Sequence, residues 1–155
     1  MTGTLSGLLA RASLEAPQTP ALIEAGRRTS YATLDRMSRR FAGGLANLGI
    51  GKGDRVALWL PNTPAHYALT FAIWRLGAVV VGVNTRFRAK EVEDIVGRTG
   101  AKALVYWPGF KDIDFEAILA QIEPSAFSAL QLVIAQDVDG ATEAVSYTHL
   151  TLPTT

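Results

Sequence analysis

Two stretches of the sequence carry residue types that bind phosphate. The first is Gly49-Ile50-Gly51-Lys52-Gly53-Asp54, where close-set glycines bare backbone amides and a lysine adds charge. A phosphate loop runs from a strand into a helix, so that the helix N-terminus faces the anion. This stretch runs the other way, from a helical pattern into a strand pattern, and no Ser or Thr follows Lys52. Its spacing predicts a helix C-cap and a tight turn. The second stretch, Asn84-Thr85-Arg86-Phe87-Arg88, has the correct polarity, after a strand and before a helix. Two guanidiniums there can pair with phosphate oxygens. A solvated loop leading into a helix N-cap accounts for the same residues, and both readings stand.

Other reactive types are present without partners at working distance. His66 has no second histidine at metal-ligand spacing and no G-x-S-x-G elbow to serve. Asp112, Asp114 and Glu116 fall in the first turns of a predicted helix, where the helix dipole favours negative charge. Arg27, Arg28, Arg36, Arg39 and Arg40 cluster without interleaved aromatics, which describes a solvated face and not a nucleic-acid stripe. Trp59, Trp74 and Trp107 sit inside predicted elements, as core or rim residues do. There is no cysteine, so disulfides and thiolate metal sites are excluded.

These residues need a scaffold, and the apolar pattern supplies one. Leu5, Leu8, Leu9, Ala12 and Leu14 mark one face of a short helix, ended by Pro17 and Pro20. Ala21–Glu24 and Arg27–Ser30 flank Ala25-Gly26 as a hairpin. Leu34, Met37, Phe41, Leu45 and Leu48 repeat every three or four residues, an amphipathic helix with Ser30 as N-cap and Gly49 just past its end. Val56–Leu60, Val79–Val83, Ala103–Trp107 and Leu132–Ala135 are short apolar runs, as buried strands are. Helical patterns over Thr63–Leu76, Ala89–Arg98 and Asp112–Ile122 separate them. Such alternation predicts a parallel sheet with helices on both faces and right-handed crossovers. Ligands in such sheets bind beyond the carboxyl ends of the strands. Those loops are Leu60–Thr63, Val83–Arg88, Trp107–Lys111 and Gln136–Gly140.

Length and charge agree with this frame. The chain has 155 residues, enough for one domain or a piece of a larger one. Apolar residues make up 48%, ample to bury a core, and the net charge of +1 argues against a strongly basic nucleic-acid binder. The balance is uneven: residues 1–75 hold nine Lys/Arg and four Asp/Glu, residues 76–155 six and ten. Tyr67–Val83 carries only Arg75 as a charge, but Gly77 divides it into a helix and a strand, which is not a membrane span. Leu5–Ala10 is too short for a signal-peptide core, so a cytoplasmic protein is expected.

Several segments, read in order, resemble one family. They are Arg28-Thr29-Ser30-Tyr31-Ala32-Thr33-Leu34, Leu48 through Ala57, Leu60-Pro61-Asn62, Arg75-Leu76-Gly77-Ala78-Val79, and Asn84-Thr85-Arg86 with Glu91 downstream. Together they resemble the opening of the AMP-forming acyl-CoA synthetases, within the adenylate-forming enzymes, from about Leu5 to about Ala135. Gly82 departs from the pattern, standing where the family usually has a proline. The resemblance implies an α/β fold, the N-terminal part of the family's large domain: a hairpin, then alternating helices and mostly parallel strands. It also implies an ATP-dependent acid–CoA ligase as parent, using ATP, Mg2+ and CoA on a carboxylic acid. The acid attacks the α-phosphate of ATP to give acyl-AMP and pyrophosphate, and the CoA thiol then displaces AMP. The family's phosphate-binding loop, ribose-binding acid and catalytic lysine lie later in its sequence, so no catalytic residue is carried over here. What is carried over is the neighbourhood of the CoA nucleotide, through the loops bearing Arg86 and Lys111, which makes those two cations candidate phosphate contacts.

Residues 1–144 are accordingly expected to be a partial AMP-binding domain that is inactive and aggregation-prone by itself. A stand-alone nucleotide- or CoA-binding module without chemistry is the alternative. A dinucleotide oxidoreductase ranks last, because no glycine fingerprint follows Val56–Leu60 or Val79–Val83. Residues 145–155 have no charge and four threonines, and continue no helix or strand pattern. They resemble the translation of a transposase-type sequencing adapter and are left out of the expected fold. The acid is left open among fatty, aromatic and alicyclic classes.

Overall fold

The computed structural model describes residues 3–136 and, by their backbone, 147–150. The chain begins with helix α1 (Leu5–Glu15), followed by a hairpin of β1 (Pro20–Glu24) and β2 (Arg27–Ser30) and then by α2 (Tyr31–Asn47). Alternation follows: β3 (Arg55–Trp59), α3 (Pro64–Arg75), β4 (Val79–Gly82), α4 (Ala89–Thr99), β5 (Ala103–Tyr106), α5 (Phe115–Leu119) and β6 (Leu132–Gln136). A last strand, β7, covers Tyr147–Leu150. The sheet order is β4-β3-β5-β6-β7. Strands β3 to β6 are parallel, and β7 runs antiparallel to β6.

Helix ends are set by local chemistry. Thr4, Ser30, Thr63 and Asp114 each accept a first-turn amide, from Gly7, Thr33, His66 and Ala117. At α4 the N-cap is Arg88, whose side chain has no acceptor, so Glu91 reaches back to take the Arg88 amide at 3.0 Å. At the far end of α2, Gly49 has φ +86; its amide bonds the Ala46 carbonyl and the Ile50 amide bonds that of Leu45. This left-handed ending satisfies carbonyls that the helix leaves open, and it needs glycine. Helix α3 ends in the same way at Gly77.

Side-chain alternation along the strands divides the core in two. Val56 and Leu58 of β3 face one cluster, with Leu45 of α2 and Leu69 and Ile73 of α3. Ala57 and Trp59 face the other, with Val92 and Val96 of α4 and Phe115 of α5. All four β3 residues from Val56 to Trp59 are fully buried, as a central parallel strand requires. Arg75 of α3 pairs with Asp35 of α2 and donates to Ser38 at 2.9 Å, which clamps the two helices together.

Two expectations need correction, and one segment left out of the expected fold is seen to pair. Val79–Val83 is an edge strand and not a fully buried one; Val79 is 47% exposed. The expected continuous helix Asp112–Ile122 is broken. A short 3-10 turn (Phe110–Asp112) comes first, and Lys111 and Asp112 have φ of 49° and 56°. Those left-handed angles cannot continue into a right-handed helix, so α5 restarts from the Asp114 cap. Phe115, Ile118, Leu119 and Ile122 are nonetheless buried together. Finally, Tyr147–Leu150 lies within the segment left out of the expected fold, yet it pairs with β6 from Val133↔Leu150 to Gln136↔Tyr147. The open edge of β6 offers a row of unpaired backbone groups, and an extended Tyr-Thr-His-Leu segment can take them whatever its origin.

Candidate functional site

The path of the chain through the sheet fixes where a ligand can sit. From β3 the chain steps one way to β4, then crosses back over β3 to β5 and continues to β6. The connections after β3 and β5 therefore leave on opposite faces, and in open α/β sheets such a switch point is where ligands bind, above the carboxyl ends. Leu60–Thr63 with the start of α3 forms one wall, and Trp107–Asp114 forms the other. The turn after β4 flanks them.

Each wall is held from within. The imidazole Nδ1 of His66 lies 3.1 Å from the Pro61 carbonyl, which can only accept, so Nδ1 carries the proton there. Thr63, itself buried, caps the same helix. On the other wall Trp107 and Phe110 stack at 5.4 Å, and the Lys111 Nζ lies 5.5 Å from the Phe110 ring centre. The buried Tyr106 hydroxyl donates to Glu116 at 2.7 Å, tying β5 to α5. Burial, then the Glu116 carboxylate, push the Tyr106 phenol well above its ordinary range. It is a neutral donor at any physiological pH.

The turn Asn84–Phe87 is built by converging bonds. The Phe87 amide and the Trp59 indole N–H both donate to the Asn84 carbonyl, each at 3.0 Å. The Asn84 side-chain oxygen accepts the Arg86 amide at 2.9 Å. The two guanidiniums of this loop then differ. Arg88 folds onto its own loop, donating to the carbonyls of Thr85 and Phe87 at 3.2 and 3.0 Å. Arg86 points to solvent, and its guanidinium has no partner among the described residues.

The structure thus places Arg86 and Lys111 on the same carboxyl-end rim, both exposed. It does not bring them into contact. Strand β3 lies between the strands that carry them, so their strand axes stand about 10 Å apart. The glycine loop Gly49–Asp54 lies at the opposite, amino-end edge, where its anion is its own: Asp54 accepts the Gly51 amide at 2.8 Å and Lys102 Nζ at 2.9 Å. The Gly51 amide bond, then Lys102, hold the Asp54 carboxyl below its ordinary value of 3.8.

The remaining candidates are structural. Asp114 caps α5 and Glu116 takes the Tyr106 proton donor. No group of three His, Cys, Asp or Glu among the described residues could hold a metal ion. Arg39 pairs with Asp35 and Arg27 with Glu24. No described helix is long and apolar enough to cross a membrane. Sequence reading missed the Trp59–Asn84 and Tyr106–Glu116 bonds. The available signal was an aromatic residue with a polar tip at the last position of a buried strand, since such a tip must find a partner.

Comparison with known proteins decides the family. The AMP-binding enzyme family matches residues 9–151. The chain belongs to the AMP-binding enzymes. The long-chain-fatty-acid–CoA ligase FadD13 of Mycobacterium tuberculosis is 38% identical over 120 residues, covering 76% of this chain and 24% of the ligase. The mitochondrial medium-chain acyl-CoA ligase ACSF2 of Macaca fascicularis is 31% identical over 131 residues, covering 83% of this chain and 21% of that protein. Among solved structures, a Mycobacterium tuberculosis fatty acyl CoA synthetase superposes with a TM-score of 0.76 at 30% identity, over 85% of this chain and 26% of that one. The N-terminal domain of FACL13 from the same organism gives 0.72 at 34% identity, over 80% and 32%. The chain therefore spans about a quarter of the length of the curated relatives it matches. The hairpin, the four-strand parallel sheet and its covering helices are those of this adenylate-forming fold.

Proposed function

We propose that this chain is the scaffold portion of an ATP-dependent acid–CoA ligase, and that Arg86 and Lys111 contribute to binding the phosphates of the CoA nucleotide. The observation that carries the reading is the unpartnered Arg86 guanidinium on a preformed turn at the carboxyl-end rim. A phosphate meeting it displaces water alone, with no internal ion pair to break. Lys111 supplies a second charge across the crevice, on a loop stiffened by the Trp107–Phe110 stack. Neither residue moves a proton or forms a bond; they hold and orient the nucleotide end of the thiol substrate. ATP, Mg2+ and the carboxylic acid belong to the whole enzyme in this reading.

The test uses the full-length synthetase that carries this segment. Arg86→Ala and Lys111→Ala should each raise KM for CoA by about tenfold, the order of one charged hydrogen bond lost. Acyl-adenylate formation, followed by ATP–pyrophosphate exchange, should keep its rate. An unchanged KM for CoA in both variants overturns the assignment. The 155-residue chain alone should show no ATP–pyrophosphate exchange. A cytoplasmic location goes with this reading and is checked by cell fractionation. In the same reading residues 145–155 are foreign to the enzyme. Their uncharged, threonine-rich composition supports this, while the family match to residue 151 stands against it. An independent genomic read continuing unchanged through residue 155 to a stop codon would sink the foreign-tail proposal.

A further inference from the structure

The turn that presents Arg86 is not held by its own residues alone. Val83 still belongs to the sheet, its amide donating to the Leu58 carbonyl at 3.0 Å. One residue later the backbone ladder gives way to a side chain, and Asn84 is bonded by the indole of Trp59. Trp59 is the last residue of β3, with no exposed surface. Its ring is fixed in turn by Phe115, edge-on at 4.6 Å and 87°. Phe115 opens α5, directly after the loop that carries Lys111. One buried ring therefore touches the turn of the first cation and the helix that anchors the loop of the second.

We propose that Trp59 is a positioning residue for CoA binding, acting by fixing the Asn84–Phe87 turn and hence the origin of the Arg86 side chain. The proposal rests on the reading of Arg86 given above. With the indole N–H in place, the Asn84 carbonyl has two donors, Trp59 and Phe87, and the turn cannot rotate about that peptide without losing one of them. Without it, the Asn84 carbonyl keeps only the Phe87 amide as donor, and the turn gains the freedom to swing toward water. Arg86 then starts from several positions in place of one, and the cost of ordering it is met at the moment of binding. The ring itself packs the core whether or not it donates, so the two roles of Trp59 can be separated by removing the N–H alone.

The experiment replaces Trp59 in the full-length synthetase by its benzothienyl isostere, in which sulfur takes the place of the N–H, with Trp59→Phe as the genetically simple companion. Two quantities are read: KM for CoA against KM for ATP and the rate of acyl-adenylate formation, and hydrogen exchange of the peptide spanning residues 84–87. The expected result is a rise in KM for CoA of about fivefold in the isostere, the order of one neutral hydrogen bond, with ATP parameters unchanged and faster exchange in the turn. A loss spread equally over ATP and CoA parameters reports general destabilisation and overturns the proposal. So does unchanged exchange in the turn. Arg86→Ala separates the two levels of the argument. If Arg86→Ala raises KM for CoA and the isostere does not, the positioning role fails while the CoA reading survives. If Arg86→Ala has no effect but turn exchange still rises in the isostere, the CoA reading fails and Trp59 fixes the turn for no CoA contact, which also overturns the role proposed.

Discussion

The two ends of the sheet solve opposite problems. At the amino end, the Gly49–Asp54 loop, the Gly77 turn and Lys102 bind one another. The Gly53 amide reaches the Gly77 carbonyl at 2.9 Å, and Lys102 Nζ bonds both the Gly49 carbonyl, at 2.7 Å, and Asp54. The Gly51 amide and Lys102 there are already bound to Asp54, so the loop that most resembles a phosphate binder holds its own carboxylate, with the exposed Lys52 side chain outside that network. At the carboxyl end, buried aromatic tips hold the loops from below, Trp59 to Asn84 and Tyr106 to Glu116. The outer side of those loops stays free, and Arg86 and Lys111 remain exposed. A binding rim needs its support underneath and its charges unpaired above. Glycine and lysine content alone does not separate the two ends.

The largest effect should come from the support under the rim. Trp59→Ala removes a fully buried ring that packs on Phe115 and bonds Asn84. It should cost about 3–5 kcal/mol in the full-length enzyme, read from denaturant unfolding. A loss no larger than that of a surface substitution would mean that the carboxyl-end loops stand without it. The amino end should respond next. Asp54→Ala removes a carboxylate bonded to an amide and to an ammonium, and should cost about 1.5–3 kcal/mol.

Asp54 also gives the amino end a pH signature. Its folded-state pKa is depressed below 3.8, first by the Gly51 amide and then by Lys102. The stabilisation it provides is therefore complete above the unfolded value and is lost as pH falls through the folded one. Asp54→Asn should flatten the part of the acid stability curve below about pH 4, and urea midpoints at pH 6 and pH 3 measure it. Equal acid slopes in the two proteins would show that the Gly51 amide and Lys102 together give the folded state no preference for the charged carboxylate. Gly77→Ala is a milder probe of the same region. Gly77 has φ +69, and an added Cβ would lie 3.2 Å from the Lys52 Cγ. The left-handed backbone costs about 1–2 kcal/mol for any L side chain, and the flexible Lys52 stem can yield. A stability loss in this range with unaltered CoA kinetics would keep the amino end structural.

What the sequence disclosed, and what it hid, follows the range of the interaction. The helix cap at Ser30, the hairpin and the strand–helix alternation depend on neighbours a few residues away, and all are in place. The direction of the Gly49–Asp54 loop was legible because polarity is a local property of chain order. That β4 is an edge strand was not legible, since Val79-Val80-Val81 reads as buried anywhere in a sheet and only strand order decides. The break at Lys111 and Asp112 was hidden for a related reason. An apolar period of Phe115, Ile118, Leu119 and Ile122 continues across it, and a non-glycine left-handed turn leaves no mark in composition. Their place after a strand marks Arg86 and Arg88 alike, and the family resemblance alone singles out Arg86. Their difference rests on carbonyls of the folded turn, and the Trp59 bond joins residues 25 apart.

That pair offers the smallest and sharpest of the stability tests. Arg86→Ala should change stability by less than about 0.5 kcal/mol, because its guanidinium is exposed and makes no hydrogen bond or ion pair among the described residues. Arg88→Ala should cost somewhat more, about 0.5–1.5 kcal/mol, because its Nη1 bridges the Thr85 and Phe87 carbonyls. Binding should invert the order, with KM for CoA rising for Arg86→Ala and holding for Arg88→Ala. The inversion matters more than either value. A residue kept for the fold reports in unfolding and one kept for a ligand reports in kinetics, so two arginines two positions apart divide the carboxyl-end rim into its support and its working surface. If both report in stability alone, the rim is as closed as the amino end, and the difference between the two ends disappears.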